Sequence, residues 1–142
     1  MQNIDLFINA INNEENKELI NLNITFEKIN SEKKIIIDNL FDDENDVESI
    51  LKKLKYYKLV DELPELKYGS YIRWINIKNQ SNIKLTNGGL ICDIKIKNNG
   101  IIIACKNNRN RIFELNMANN IIFQKLSNQE LILLSAIEYV NK

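Results

Sequence analysis

The sequence predicts an α+β fold: a five-stranded antiparallel small β-barrel, preceded by a helical N-terminal region and closed by a C-terminal helix. Three observations carry this. Asn99-Gly100 lies between ICDIKIK and IIIACK, and Asn-Gly between two β-rich runs is the strongest short hairpin signal, because both residues tolerate positive φ. Apolar residues alternate at period two through residues 88–125. Two segments, DVESILKKLK and SNQELILLSAIEYV, carry helical spacing with matching start signals.

The barrel strands follow from the turns. A two-residue turn at Asn99-Gly100 sets Asn98 opposite Ile101, Ile96 opposite Ile103, Ile94 opposite Cys105 and Asp93 opposite Lys106. One face then holds Leu90, Cys92, Ile94, Ile96, Ile101, Ile103 and Cys105, and the other a cross-strand ion pair. A one-residue slip would turn Lys106 into the apolar face, so the pattern rejects it. After NNRN, the run RIFELNM alternates Phe113, Leu115 and Met117. A three-residue loop at 108–110, with Asn110 left-handed, places Phe113 opposite Cys105. A second such loop at 118–120 sets Ile121 and Phe123 opposite Met117 and Leu115. Upstream, SYIRWINIK (70–78) reads as a further strand. Its parity leaves two choices: Ile72 and Trp74 face one way, Tyr71, Arg73, Ile75 and Ile77 the other. Five strands joined mostly by tight turns are expected to close, because closure removes exposed edges. Their order points to an SH3-like barrel. An oligonucleotide/oligosaccharide-binding barrel would need a helix after its third strand.

Around the barrel the elements vary in clarity. A short helix is expected to end near Asn12-Asn13, and residues 17–38 read equally as helices or as two strands at 24–29 and 34–38. In DDENDVESILKKLKYYKLV the acids come first, the lysines last, and Val47, Ile50, Leu51 and Leu54 fall at i, i+3, i+4 and i+7. That ordering suits the helix dipole and predicts a helix over 46–58. Its acids (Asp42, Asp43, Glu44, Asp46, Glu48) read as solvated caps; a calcium loop beginning at Asp42 would need glycine where Val47 stands. The linker VDELPELKYG holds the only proline and marks a boundary between an acidic region, 1–66, and the barrel with its helix, 67–142. Ser127 and Glu130 form a capping box opening the last helix. That helix is apolar around most of its circumference and must be covered on two sides, by the N-terminal region or by a partner chain.

Composition narrows the chemistry. There is no histidine, which removes imidazole acid–base work and His-based triads. Two cysteines cannot alone build a zinc site, and as diagonal neighbours on the core face Cys92 and Cys105 are expected as buried free thiols. No phosphate-binding glycine loop of the P-loop or dinucleotide type occurs, and Gly88-Gly89 reads as a bulge. No run of about 20 apolar residues exists to span a membrane, and the start lacks a secretion signal's basic and apolar regions. No catalytic, metal or cofactor-binding residue is therefore expected. The net charge is zero, but residues 1–66 hold 15 acidic and 8 basic side chains and residues 67–142 hold 4 and 11. That asymmetry points to a partner or to docking between the halves. The 24 Asn, 25 Ile and 16 Lys make up nearly half of the 142 residues and indicate an AT-rich gene.

Two candidate surfaces remain. One barrel rim gathers Lys78, Lys84, Lys106, Arg109, Arg111 and Lys125 without an acid, and Arg73 with Trp74, or Tyr71, adds a stacking surface. Cations beside rings are what single-stranded RNA or DNA needs; the bland alternative is that these cations merely solvate strand ends and Trp74 is core. The second is an apolar partner interface of Leu131, Ile132, Leu134 and Val140 on the last helix, for another protein chain or for self-association.

The segments YGSYIRWINIKN, LTNGGLICDIKI, IIIACKNN, NRIFELNM and NIIFQKLSNQELILLSAIEY resemble a family of uncharacterised proteins of giant nucleocytoplasmic large DNA viruses, relatives of mimivirus. The resemblance runs from about residue 55 to the C-terminus. It implies a viral product acting in host cytoplasm, viral factory or virion, and implies no catalytic residue. The leading expectation is a non-catalytic adaptor in a larger viral assembly. Single-stranded nucleic-acid binding at the basic rim stands second, and an enzyme of unknown type third.

Overall fold

A computed structural model describes residues 2–21 and 23–141. The fold is α+β: helices α1 (Gln2–Asn12), α2 (Lys17–Asn21), α3 (Phe26–Leu40) and α4 (Glu44–Lys53) precede the sheet, and α5 (Asn128–Val140) follows it. The strands are β1 (Tyr57–Val60), β2 (Tyr71–Asn76), β3 (Gly89–Lys97), β4 (Gly100–Lys106), β5 (Ile112–Asn116) and β6 (Asn120–Lys125). They form one antiparallel sheet in the order β1-β6-β2-β3-β4-β5. Six strands replace the expected five. No pairing joins β1 to β5 among the described residues, so the sheet is open rather than a closed barrel.

The central hairpin forms, two residues out of the expected register. Asn98 and Asn99 make the turn, and Gly100 is the first strand residue, opposite Lys97. Its φ of 126° uses glycine's freedom there, and the Asn116 side chain lies 3.1 Å from where a Cβ would stand. Ile94 therefore faces Ile103, and Ile96 faces Ile101. A slip of two preserves the face, as the period requires. A bulge between Ile91 and Asp93 then breaks the alternation. Ile91 turns into the core, while Leu90 and Cys92, expected inside, are exposed. The cysteines are thus not core neighbours; only Cys105 is buried, and burial pushes its thiol up to about 12. Asp93 sits opposite Ala104 and pairs with Lys95 at 3.7 Å instead of with Lys106.

The next loop has the expected geometry. Asn110 is left-handed at φ 61°, and Phe113 lies opposite Cys105. The expected β5–β6 hairpin does not form. Asn116 accepts a hydrogen bond from the Ala118 N–H (3.0 Å), capping a one-turn 3-10 helix, Met117–Asn119. That turn redirects the chain across the fold, and β6 pairs with β2 on one flank and β1 on the other.

Both faces of β2 are buried, which answers the parity question. Ile72 joins Ile91, Ile103, Cys105, Leu115 and Ile122 within the curve of the sheet, with Trp74 half-buried against them. Ile75 faces outward with Phe123, under Ile37 of α3 and Val47 and Ile50 of α4. Residues 26–40, ambiguous in sequence, are one helix. Thr25 caps it by accepting from the Lys28 N–H (3.2 Å), and Ile29, Lys33 and Ile37 face inward at four-residue spacing. Helix α4 starts on the Asp43 cap and stops short of the expected 58, leaving YKLV free to become β1. The capping box at Ser127 and Glu130 is present. Leu133 and Leu134 of α5 pack with Ala10, Leu19, Ile24 and Ile29, so the N-terminal region covers that helix. Among the described residues no helix is long and apolar enough to cross a membrane.

Candidate nucleic-acid interface

One end of the sheet opens into a cleft of about 660 Å³, between loop 86–88 and hairpin loop 107–111. Tyr71, Trp74 and Phe113 supply rings, Arg109 and Arg111 charge, and Asn87, Asn107 and Asn108 amides. Local chemistry makes each wall firm. The Asn107 side-chain oxygen accepts from the N–H groups of Arg109 (2.9 Å) and Arg111 (3.0 Å). The Asn107 N–H donates to the Arg111 carbonyl at 2.9 Å, so one asparagine organises the whole loop. Opposite, the Tyr71 hydroxyl donates to the Asn87 carbonyl and Arg73 Nε to the Thr86 carbonyl, both at 2.8 Å. Thr86 and Trp74 exchange two further bonds. Gly88 closes this wall at φ 90°, where a Cβ would stand 2.2 Å from the Ile72 carbonyl oxygen. Only glycine lets the loop lie so close to β2.

Electrostatically the cleft is unneutralised. Among the described residues no ion pair engages Arg109 or Arg111, and none joins residues 1–66 to 67–142. Acids collect elsewhere, where Glu27, Glu32, Asp61, Glu62 and Glu65 line a separate hollow of about 750 Å³ beside α3. The one ring–ring contact among the described residues is Phe7 with Tyr139. The three rings of the cleft are not stacked on one another, and Trp74 is half-buried against the core.

No family model, curated protein or solved structure significantly matches this chain. Function must be read from the cleft itself.

The expected rim residues divide. Trp74, Arg109 and Arg111 line the cleft, and Arg73 braces its wall. Lys106 and Lys125 end β4 and β6 at the same end of the sheet, opposite Ile112 and Tyr57 respectively. Lys78 and Lys84 do not join them. The register places both near Asn76, at the far end of β2, since Ile75 bridges to Leu85. Phe113, Asn87 and Asn107 belong to the site without having been singled out. The NNRN run around Asn107 was the available signal, whereas the alternation of Phe113 with Leu115 marked it as core. Of the expected partner interface, Leu134 is buried and Leu131 and Ile132 half-buried against the chain's own helices; only Val140 is open.

Proposed function

We propose that the protein is a non-catalytic binding module that holds single-stranded nucleic acid, RNA foremost, in the cleft between Trp74 and Phe113. The observation that carries this reading is the convergence of three unstacked rings with two unpaired arginines. Phosphates supply affinity through the cations, and unpaired bases stack on the rings, each stacked base being worth about 1–3 kcal/mol. A duplex offers its bases no free faces and is the weaker ligand. Trp74 is the only tryptophan, so its fluorescence reports occupancy directly. Titration with oligouridylate at low salt is expected to quench it. Replacing both Arg109 and Arg111 by alanine is expected to lower the salt slope of log K by about 1.4. Unchanged fluorescence at low salt defeats the reading.

We also read β2 to β6 as an SH3-like barrel that stays open. In support, the five strands run in the order β6-β2-β3-β4-β5, with a one-turn helix before the last. In this reading residues 67–142 carry the binding surface and the acidic residues 1–66 support it. The setting proposed is a viral assembly in host cytoplasm, viral factory or virion. A second reading, the protein adaptor, is favoured by the apolar side chains left open on α1: Ile4, Leu6, Ile8 and Ile11. A purified partner whose affinity falls on Ile8→Lys, with Arg109→Ala without effect, would establish it.

A further inference from the structure

We propose that two copies of this chain pair through the outer stripe of α1 and the adjoining end of α5, antiparallel about a two-fold axis near Ile8. This surface is separate from the cleft and does not depend on what the cleft binds. Helix α1 turns Ala10 into the molecule, fully buried, and its Phe7 ring meets Tyr139 of α5 at 5.8 Å. Beside that covered face, Ile4, Ile8 and Ile11 follow at i, i+4 and i+7, the spacing of a helix-pairing seam, and each is 45–50% exposed. The stripe runs into a hollow of about 410 Å³ between α1, α2 and α5, lined by ten residues of which none is charged. Val140, 75% exposed, and Tyr139, 64% exposed, continue it.

Charge and area argue for a second copy as the occupant. A two-fold interface lays a surface on itself, so every charge near the axis meets its like. Here the hollow carries none, and Asp5 is the only charged residue of α1. Antiparallel pairing about Ile8 sets the two Asp5 side chains about 9 Å apart along the helix axes, from the 1.5 Å rise per residue. Parallel pairing would bring them together. The five open apolar side chains on this side (Ile4, Ile8, Ile11, Tyr139, Val140) offer on the order of 100 Å² each, a patch of the size that marks interfaces. Two copies then bury about 1,000 Å², the size of a weak, transient interface, and the dimer is expected to dissociate in the micromolar range.

Sedimentation velocity of the full chain in reductant, from about 1 to 200 μM, reads this directly. The weight-average mass is expected to climb from 16.6 kDa toward twice that value. Ile8→Lys is expected to weaken association at least tenfold and Ile8→Leu to preserve it, with circular dichroism checking the fold of each. A second arm uses Ile8→Cys in a Cys92→Ser background. Oxidation is expected to give a disulfide-linked dimer, whereas a cysteine at exposed Asn45 stays monomeric. A wild type that stays monomeric at 200 μM overturns the proposal. So does a dimer untouched by Ile8→Lys, or one in which Ile8→Cys fails to cross-link.

Discussion

The ammonium of Lys33 donates to the carbonyl oxygen of Leu54 at 2.7 Å, and it reaches the Lys55 carbonyl at 3.4 Å. Lys33 is 2% exposed, and its bond ties the middle of α3 to the C-terminal carbonyls of α4. A cation at that helix end suits the dipole and satisfies carbonyls that have no partner within the helix. Among the described residues no carboxylate is paired with it, and burial lowers its pKa to about 8 from 10.5. Between those values the unfolded chain holds the proton and the folded chain does not, so stability rises with pH across the window. Tyr57, whose pKa burial raises, works in the opposite sense above pH 10. The clean interval is therefore pH 8 to 10. Urea midpoints of the wild type are expected to rise through it relative to those of Lys33→Met. A difference between the two that stays flat from pH 7 to 10 would show that this lysine keeps its charge.

The same lysine illustrates what was legible beforehand and what was not. KKIIID read equally as strand or helix, because a run of three isoleucines between charged residues carries no period. What settles it lies outside the run: the Thr25 cap, and Lys33 sharing the inward face with Ile29 and Ile37. A lysine on a core face is invisible to hydropathy. In the central hairpin the run Asn98-Asn99-Gly100 offers the turn in two registers, both of which keep the isoleucines on one face. Alternation therefore fixed the face and not the pairing. The bulge at Cys92 and the capped turn at Asn116 depend on backbone and amide geometry, and neither has a hydropathy signal. At the cleft, the arginines and Trp74 were visible as residue types. Phe113 was hidden because a ring at the end of a sheet alternates just as a core ring does.

The two thiols should differ sharply in reactivity. Cys92 is exposed on the outer side of its bulge, whereas Cys105 is buried with its pKa pushed up to about 12. Thiolate is the reactive form, so Cys105 is shielded by both access and protonation. Native protein is expected to release one equivalent of thionitrobenzoate promptly, and the second only on denaturation. Two fast equivalents would place Cys105 at the surface and break the account of the core.

Gly88 holds one wall of the cleft by lying against β2. An alanine there meets both the positive φ and the Ile72 carbonyl oxygen, which is backbone and cannot swing aside. Gly88→Ala is expected to cost at least about 2 kcal/mol of stability by denaturant unfolding. Gly69 also has positive φ, but nothing stands within 4 Å of its Cβ position, so Gly69→Ala meets conformational strain alone and costs less. Equal losses at the two sites would mean that the close approach to β2 is not what Gly88 provides.

Asn107 separates geometry from charge at the cleft. Its side-chain oxygen holds the N–H groups of Arg109 and Arg111 at 2.9 and 3.0 Å but adds no charge of its own. Removing it loosens the loop that aims both guanidinium groups while leaving the number of cations unchanged. Asn107→Ala is therefore expected to weaken oligouridylate binding three- to tenfold, about 0.7–1.4 kcal/mol, comparable to the loss of one net hydrogen bond. Because the number of neutralised phosphates is the same, the dependence of log K on log salt should keep its wild-type slope. Loss of both arginines, by contrast, lowers affinity and slope together. If Asn107→Ala flattens the slope as the double arginine variant does, the loop has abandoned the strand altogether. If it leaves affinity untouched, the arginines find the phosphates without being held, and the preorganised cleft is not the source of binding.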